Sequence, residues 1–306
     1  MILITTAGKV GSASADQLAG LGVPVRLLAR HPEKAAGLAQ AGVEVFPGDL
    51  DSPESIDQAM RGVSRVILVT QPVLSQELSV IDSAGRAGVE HVVKITNKAD
   101  AHSPIARRRV QSEIEDALVA SGLSYTLLRN NAYMQNFLMM APAQTSSFRT
   151  ATGDGRIGHV DVRDVAAAAA EIAVSPAGHA AKTYWPTGPE SLSGNDVADI
   201  FTKVLSRQIT FHPISYEEQK QAMIDAGLPE PVAKDNALAV AWMADGDCDY
   251  VTDDMPQILG RPAGQLPRLD RRPRHHRTRR HRQRHRRQTL ATAIPRHQLT
   301  PMRQAA

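Results

Sequence analysis

Short runs of aliphatic and β-branched residues alternate with amphipathic helical segments from the start of the chain. A strand followed by a helix recurs about every 20 to 25 residues, which favours a parallel sheet with right-handed crossovers. We therefore predict an α/β fold with a Rossmann-type, doubly wound parallel sheet and a small C-terminal cap lobe. The predicted strands are Ile2–Thr5, Val25–Ala29, Val43–Phe46, Arg65–Val69, His91–Thr96 and Tyr125–Arg129.

The first strand runs directly into a turn, Thr5 to Ser12, that opens a helix predicted at Val10–Leu21. Glycines in such a turn let the backbone approach a pyrophosphate, which the free N–H groups of the helix N-terminus then bind. Only Gly8 and Gly11 of the usual three glycines are present, and Thr6 stands where the first would be. A tight turn without a ligand is the alternative. The position at the head of a strand–helix series favours a dinucleotide site that includes Lys9 and Val10.

The second strand ends in Arg30, and Lys34 follows four residues later. Sites specific for NAD usually carry an acidic residue here, which holds the ribose 2′-hydroxyl, whereas a 2′-phosphate needs cationic donors. Arg30 and Lys34 therefore predict NADP(H) as the cofactor, with NAD(H) as the second possibility. A solvated basic turn is the alternative, above all for Lys34.

The regular alternation stops after Arg129, and this divides the chain into three segments. Residues 1–150 are predicted to form the NAD(P)-binding Rossmann domain. Residues 151–267 are predicted to supply the remaining sheet elements, among them a strand at Lys182–Trp185, and the substrate cap lobe. A turn, a short strand and an Ala-rich helix are predicted from Ala151 to Ala173, and a further helix is predicted to begin near Ser193.

The third segment, residues 268–306, differs from the rest in charge. It holds thirteen arginines and one acidic residue, which gives it a net charge of +12. Because the whole chain has a net charge of +3, the first 267 residues have a net charge of −9. Its low apolar content predicts disorder. A frameshifted terminus, a genuine basic arm and a folded segment stay open as explanations. The acidic body shows no pattern typical of nucleic-acid binding.

Composition also bears on where the protein works. No apolar run is long enough to span a bilayer, and no charged leader precedes the N-terminal apolar stretch, so we expect a soluble, cytoplasmic protein without a membrane partner. Cys248 is the single cysteine, which predicts no internal disulfide, and it has no neighbours at zinc-ligand spacing. We therefore expect no metal site. The sequence does not determine the oligomeric state, and a homodimer is one possibility.

Six segments in order make the chain similar to the NmrA-like branch of the atypical short-chain dehydrogenases. They are ILITTAGKVGS, VRLLARHPEK, GVEVFPGDLDSPESI, SGLSYTLLRNNAYMQNFL, GHVDVRDVAAAAAEI and KTYWPTGPESLSGNDVADIF. This branch includes NAD(P)H:quinone reductases, isoflavone-reductase relatives, redox-sensing regulators and tailoring enzymes of aromatic polyketides. The resemblance covers roughly residues 1–265.

The resemblance implies further cofactor contacts at the carboxyl ends of the strands. Asp49 and Leu50 would border the adenine. Thr70, Gln71 and Pro72 would line the ribose and nicotinamide side, and the segment that begins with Asn130 and Asn131 and ends at Tyr133 would close over the nicotinamide. His159, Asp161 and Asp164 match a family segment and are interpreted as structural.

The catalytic centre departs from the wider superfamily. Classical members use a Tyr-x-x-x-Lys pair for proton transfer, but the equivalent helix from Arg107 to Glu115 has no tyrosine or lysine. Gln111 stands where relatives often carry His or Lys, and Thr96 holds the place of the usual serine. Tyr133 is the nearest remaining proton donor, with a packing role as the alternative. We take Tyr133, Gln111 and Thr96 as the catalytic candidates.

A site without a strong general acid suits hydride transfer to a quinone-like or polyketide-like aromatic, which needs little proton transfer from the protein. The sequence thus predicts an NAD(P)H-dependent reductase, with Met134, Phe137, Met139 and Met140 as an apolar wall or as core. Two alternatives stay open. One is a non-catalytic sensor of the NADP(H) state, and the other is a regulator that uses the Arg-rich tail as a nucleic-acid arm.

Overall fold

Seven parallel strands form the central sheet in the computed structural model, which describes residues 1–140 and 142–266. The strand order β3-β2-β1-β4-β5-β6-β8 reverses direction at β1. Two further strands, β7 and β9, pair in parallel outside this sheet. The strands are β1 Ile2–Ile4, β2 Val25–Ala29, β3 Glu44–Pro47, β4 Arg65–Leu68, β5 His91–Thr96, β6 Tyr125–Arg129, β7 Ser147–Thr150, β8 Lys182–Tyr184 and β9 Thr210–Pro213.

Helices connect the strands and cover both faces of the sheet. A short 3-10 turn at Pro32–Ala35 precedes the helix Ala36–Gln40, and another at Met243–Asp245 follows the helix Glu230–Trp242. The α-helices of the described residues are α1 Lys9–Gly20, α2 Ala36–Gln40, α3 Pro53–Met60, α4 Leu74–Ala87, α5 Ala106–Ala120, α6 Asn136–Met139, α7 Pro142–Thr145, α8 Val162–Val174, α9 Gly194–Leu205, α10 Tyr216–Asp225, α11 Glu230–Trp242 and α12 Asp254–Leu259.

The alternation of side chains along each strand separates the core into two layers. Ile2 and Ile4 of β1 pack with the layer built by α1, α8 and α12. Leu3 points to the opposite face, where α3, α4 and α5 supply the apolar side chains. Because both faces are covered, the strands are almost continuously apolar, as parallel sheets require. The predicted doubly wound α/β fold is confirmed.

A third apolar cluster forms the core of the cap lobe. It contains Phe137, Phe148 and Phe201, together with Met134 and Leu192. The helix predicted near Ser193 is α9, and Ser193 caps it because its hydroxyl accepts a hydrogen bond from the Asp196 N–H while the Asp196 carboxylate accepts one from the Ser193 N–H. The start of α9 is thus set by a local capping motif.

The prediction of a short strand before the Ala-rich helix α8 is wrong. This segment makes only two isolated bridges, Tyr133 with Val160 and Ile157 with Leu192. It runs so close to the cap backbone that a Cβ atom on Gly158 would lie 2.1 Å from the Tyr250 carbonyl oxygen. The segment is therefore packed against other backbone instead of pairing in a ladder.

Among the residues that the structure describes, no helix combines the length and the apolar character that crossing a bilayer requires. The predictions for residues 268–306 lie outside the described residues, and the division of the remainder at residue 150 stays a prediction.

Candidate active site

The turns that follow the parallel strands all lie along the carboxyl edge of the sheet. The turn after β1 is tied to β4 at the point where the strand order reverses, since the hydroxyls of Thr5 and Thr6 each donate a hydrogen bond of 2.8 Å to the Val69 carbonyl. Ligands of open α/β sheets bind in the crevice at this switch point. The role of Thr6 is thereby explained: its side chain anchors the turn.

The helix α1 begins at Lys9 with its first-turn N–H groups facing the turn. Its N-cap, Gly8, provides no side-chain cap, which leaves those N–H groups available to an anion. A Cβ atom on Gly11 would lie 1.9 Å from the Thr6 carbonyl oxygen, whereas one on Gly8 would meet nothing closer than 3.7 Å. Gly11 is thus required for helix–turn packing. Val10 can contribute only its backbone, because its side chain is buried in the core.

Arg30 and Lys34 lie beyond the end of β2, and both are exposed. Neither side chain forms a hydrogen bond or ion pair with any residue of the described ranges. Between them, His31 and Glu33 approach each other at 3.4 Å on the surface. The end of β2 therefore presents two cations that are free to meet a phosphate.

Asp49 and Leu50 follow β3, but their side chains differ in environment. The Asp49 carboxylate accepts a hydrogen bond from the Asp51 N–H at 3.0 Å and is half-buried. Leu50 is buried in the same cluster as Ile56, so its side chain does not face the crevice. The adenine contact implied for Leu50 could come only from its backbone.

The turn after β4 is held by a buried ion pair that the sequence did not suggest. Thr70 donates a hydrogen bond of 2.6 Å to the Glu77 carboxylate, and Glu77 pairs with Lys94 at 2.5 Å with both side chains fully buried. Lys94 also donates to the Ile95 carbonyl. Gln71, the next residue, is exposed. In the turn Thr70–Pro72, the first residue is therefore held by a hydrogen bond, and the second is exposed to solvent.

The catalytic candidates Thr96 and Gln111 contact each other, and both are buried. The Thr96 hydroxyl lies 2.9 Å from Gln111 Oε1 and 2.9 Å from Glu115 Oε1. Glu115 in turn forms an ion pair with Arg129 of β6. Sequence analysis missed Glu115 and Arg129, although Glu115 lies one helical turn after Gln111 and so shares its face of α5. The arrangement holds the ends of β5 and β6 together.

Tyr133, the third candidate, is a neutral phenol. Burial raises the pKa of its hydroxyl to about 12, against the opposing effect of a hydrogen bond from Asn130. The Asn130 amide nitrogen lies 3.1 Å from the Tyr133 oxygen and 3.2 Å from the Thr96 carbonyl. The Asn130 amide oxygen is buried and has no hydrogen-bond partner in the part of the chain that the structure describes. It can accept a hydrogen bond from a bound ligand.

Asn131 does not join this group. Its amide nitrogen donates to the Cys248 carbonyl at 3.0 Å, and its amide oxygen accepts from the Ala132 N–H. Both ends of the side chain are therefore engaged in holding the cap segment, and the role of Asn131 at the nicotinamide stays a prediction.

A largely apolar pocket lies in the cap lobe, and Ala132, which follows the Asn130–Asn131 segment in the chain, is part of its lining. We call it the cap pocket. Phe137 and Met140 line it, whereas Met134 is part of the cap core, and the Met139 side chain lies outside the described part of the chain. The other residues that line it are Asn136, Phe148, Thr150, Thr152, Ile157, His159, Leu192, Ser193, Gly194, Val197, Val240 and Met243.

His159, interpreted from sequence as structural, lines this pocket. Burial lowers the pKa of its imidazole to about 4, although a hydrogen bond to the Ala132 backbone opposes the shift. The ring is thus neutral at physiological pH. The other two residues of its motif are structural. Asp161 caps α8 by accepting from the Arg163 N–H at 2.8 Å, and Asp164 pairs with Arg261.

Comparison with known proteins identifies the family. The model of the NmrA-like family matches residues 1–255. The chain belongs to the NmrA-like family. The resemblance inferred from sequence is therefore confirmed, and the match of this NmrA-like protein extends beyond Phe201, where the last of the six segments ends.

Three relatives of this NmrA-like chain are reductases by name. The NAD(P)H azoreductase of Xenophilus azovorans is 32% identical, over 86% of this chain and 94% of that protein. The (4-alkanoyl-5-oxo-2,5-dihydrofuran-3-yl)methyl phosphate reductase of Streptomyces griseus is 36% identical, over 86% and 94%. The Escherichia coli NADPH-dependent quinone oxidoreductase 2, in its crystal structure with NADPH, has a TM-score of 0.77 and 30% identity over 87% and 97%.

Proposed function

We propose that the protein is an NADPH-dependent reductase that transfers a hydride to a quinone-like, polyketide-like or other electron-poor aromatic substrate. The observation that carries this proposal is an apolar pocket with no charged side chain among its described lining residues, and its lining includes Ala132, two residues after Asn130 at the end of β6. The reductase names of the relatives support the same class of reaction.

The residues of the sheet edge fit NADPH. The N-terminus of α1 and the turn through Gly8 and Gly11 would hold the pyrophosphate. Arg30 and Lys34, which are exposed and have no partner within residues 1–140 and 142–266, would hold the 2′-phosphate. The unpartnered Asn130 oxygen would accept a hydrogen bond from the carboxamide of the nicotinamide. When bound, the cofactor supplies the hydride.

The catalytic residues of this chain position the substrate and hold no proton ready near neutral pH. Reduction of a quinone adds one hydride and one proton, and the hydroquinone anion that forms first is delocalised and can take its proton from water. Tyr133, with its raised pKa, and Gln111, which has no ionisable proton, are poor acids for this step. A simple ketone instead forms an alkoxide that needs a proton at once, so the site suits quinones better than ketones.

We further propose that the reductase works in the cytoplasm, as a monomer or a homodimer, with a small aromatic substrate as its partner. The buried Cys248 fits a reducing compartment, since burial raises the pKa of its thiol to about 12 and leaves it unreactive. Light scattering of the purified full chain measures the oligomeric state.

The test is NADPH oxidation by the full chain with 2-methyl-1,4-naphthoquinone and, in parallel, with cyclohexanone. We expect turnover of the quinone and at least a roughly hundredfold lower kcat/KM for the ketone, because general acid catalysis is absent. Rapid ketone reduction would contradict the assignment. Tight NADPH binding without oxidation by any quinone would favour the cofactor-sensing alternative instead.

A further inference from the structure

We propose that the cap pocket selects uncharged aromatic rings and that Thr152 and His159 recognise the oxygen atoms of such a ring. This inference rests on the proposed function, because it names the class of substrate that the reductase accepts. It excludes aromatic substrates that carry a phosphate, sulfonate or ionised hydroxyl on the part of the molecule that enters the pocket.

Aromatic side chains form part of the pocket lining and pack against one another. The Phe137 ring meets its neighbours edge to face, with centroids 5.8 Å from Phe148 and 4.8 Å from His159. Aromatic rings prefer such offset or edge-to-face contacts over face-to-face stacks. The rest of the lining is almost entirely apolar. A planar apolar ring is the kind of ligand that this lining favours.

Charge is absent from the lining. None of the described residues that line the pocket is Lys, Arg, Asp or Glu, and the His159 imidazole is neutral. The cations closest along the chain to Phe148 and Ile157 are already paired, Arg149 with Glu218 and Arg156 with Asp196. An ion that entered would lose its hydration without gaining a partner, which is strongly unfavourable. The pocket therefore discriminates against anions and cations alike.

Two polar atoms in the lining residues lack partners. Thr152 Oγ1 and His159 Nδ1 are buried, and neither forms a hydrogen bond within the part of the chain that the structure describes. Both residues are less than a tenth exposed, at 5% and 7%. Buried polar atoms are nearly always paired, and an unpaired one is destabilising. These two atoms therefore indicate a ligand that supplies their hydrogen bonds.

The chemistry of the two atoms defines that ligand. His159 Nδ1 has no partner among the described residues, and in a neutral imidazole this atom accepts or donates a hydrogen bond according to the tautomer, so it can accept one from a ligand. The Thr152 hydroxyl can donate. A quinone carbonyl accepts from Thr152, and the hydroxyl of the reduced product donates to His159. The pair thus matches the oxygens of the substrate and of its product.

The charge selection is tested by calorimetric binding to the full chain of two quinones of similar size. These are 2-methyl-1,4-naphthoquinone and 2-hydroxy-1,4-naphthoquinone, whose hydroxyl is ionised at neutral pH. We expect the methyl compound to bind at least about tenfold more tightly, because the ionised one is desolvated without a partner. The variant Val240→Lys, which adds a cation to the lining, should reduce this difference. Equal or tighter binding of the ionised quinone to the native chain would overturn the inference.

The role of the Thr152 hydroxyl is tested by Thr152→Val, which removes the hydroxyl and keeps the shape. We expect an unchanged or higher melting temperature without ligand, and roughly three- to tenfold weaker binding of the methyl quinone, as for one lost hydrogen bond. Thr152→Ser, which keeps the hydroxyl, should retain most of the affinity. The control Thr126→Val removes a hydroxyl that donates to the His179 carbonyl, and it should lower stability without changing affinity.

A Thr152→Val chain that binds the quinone as tightly as the native one, or that is less stable without ligand, would show that the hydroxyl has no ligand to recognise. Equal loss of affinity in the Val and Ser variants would do the same. Because every measurement is of binding, a chain that selects neutral quinones but never oxidises NADPH would defeat only the proposed reductase function.

Discussion

The Thr96 hydroxyl at the end of β5 lies 2.9 Å from the side-chain oxygen of Gln111 on α5, and both residues are at least nine-tenths buried. In short-chain dehydrogenases of the classical type, this region carries a proton-transferring pair. Here the two side chains instead belong to a network with Glu115 and Arg129 that joins neighbouring strands. The catalytic power of the site must then come from positioning.

Quinone reduction should therefore depend little on pH. The groups near the site titrate outside the neutral range, since the pKa of Tyr133 is raised to about 12 and that of His159 is lowered to about 4. Between about pH 6 and pH 9 we expect a shallow profile of kcat, because no general acid changes its protonation there. Tyr133→Phe should lower kcat by less than roughly threefold, well below the usual effect of losing a catalytic acid. A steep limb within this range that disappears in Tyr133→Phe would identify Tyr133 as the proton donor.

The two glycines of the phosphate turn should respond differently to alanine. Gly11→Ala places a Cβ atom 1.9 Å from the Thr6 carbonyl oxygen, so the turn or α1 must shift. We expect a loss of roughly 1 to 3 kcal/mol in the free energy of unfolding, as for overpacking, together with much weaker NADPH binding. Gly8→Ala, whose Cβ atom has room, should keep the native melting temperature. Melting curves and calorimetric titration of both variants decide this, and a stable Gly11→Ala chain with native affinity would contradict it.

The cofactor preference should follow Arg30. Because its guanidinium is exposed and has no partner within the described residues, Arg30→Asp removes a phosphate contact without breaking the fold. We expect NADPH affinity to fall roughly 10- to 100-fold, as for one lost charge-assisted hydrogen bond, and NADH affinity to rise. Lys203→Asp, an equal change of charge on the exposed surface of α9, is the control. Unaltered affinities for both cofactors in Arg30→Asp would show that β2 ends in a merely solvated turn.

Stability should fall in mild acid because of His91. Its ring is 1% exposed between the hydroxyls of Ser124 and Thr126. Burial, with repulsion from His179 and Arg65, lowers its pKa from 6.5 to about 4. In the unfolded chain, His91 thus binds a proton below about pH 6.5, whereas in the folded chain it does so only near pH 4. The contribution of His91 to the free energy of unfolding is therefore complete above pH 6.5 and is lost as the pH falls toward 4.

Between pH 7 and pH 5 this linkage amounts to roughly 2 kcal/mol in the free energy of unfolding. Urea titration at both pH values measures it. His91→Gln cannot take up the proton and should lose that part of the pH dependence, while the similar contribution of His159 remains. Identical pH dependence in the native chain and in His91→Gln would rule out this role for His91.

Local patterns were sufficient to predict the sheet and the phosphate turn. The features used were the strand–helix period, the spacing of Gly8 and Gly11, and the basic residues after β2. All three are properties of short segments, so they can be recognised without knowledge of the fold. The short strand predicted before α8 was wrong, because that segment lies against the backbone at Tyr250, far away in sequence. The resemblance implied Leu50 and Asn131 as cofactor contacts, and this role stays a prediction; the structure shows that Leu50 packs in the core and that Asn131 donates to the Cys248 carbonyl.

The sequence by itself therefore determined the fold class, because periodicity and turn chemistry act over a few residues, and its resemblance to known proteins indicated the family. The edge of the sheet at which a cofactor would bind stays a prediction. Only the tertiary structure decided which side chains meet. Glu115 reaches Thr96 through the packing of α5 on the sheet, and the cap pocket combines residues from Ala132 to Met243. The same packing excludes water from these side chains. Burial shifts the pKa values of Tyr133 and His159 and leaves the Thr152 hydroxyl without a partner among the described residues, and no local sequence pattern indicates either effect.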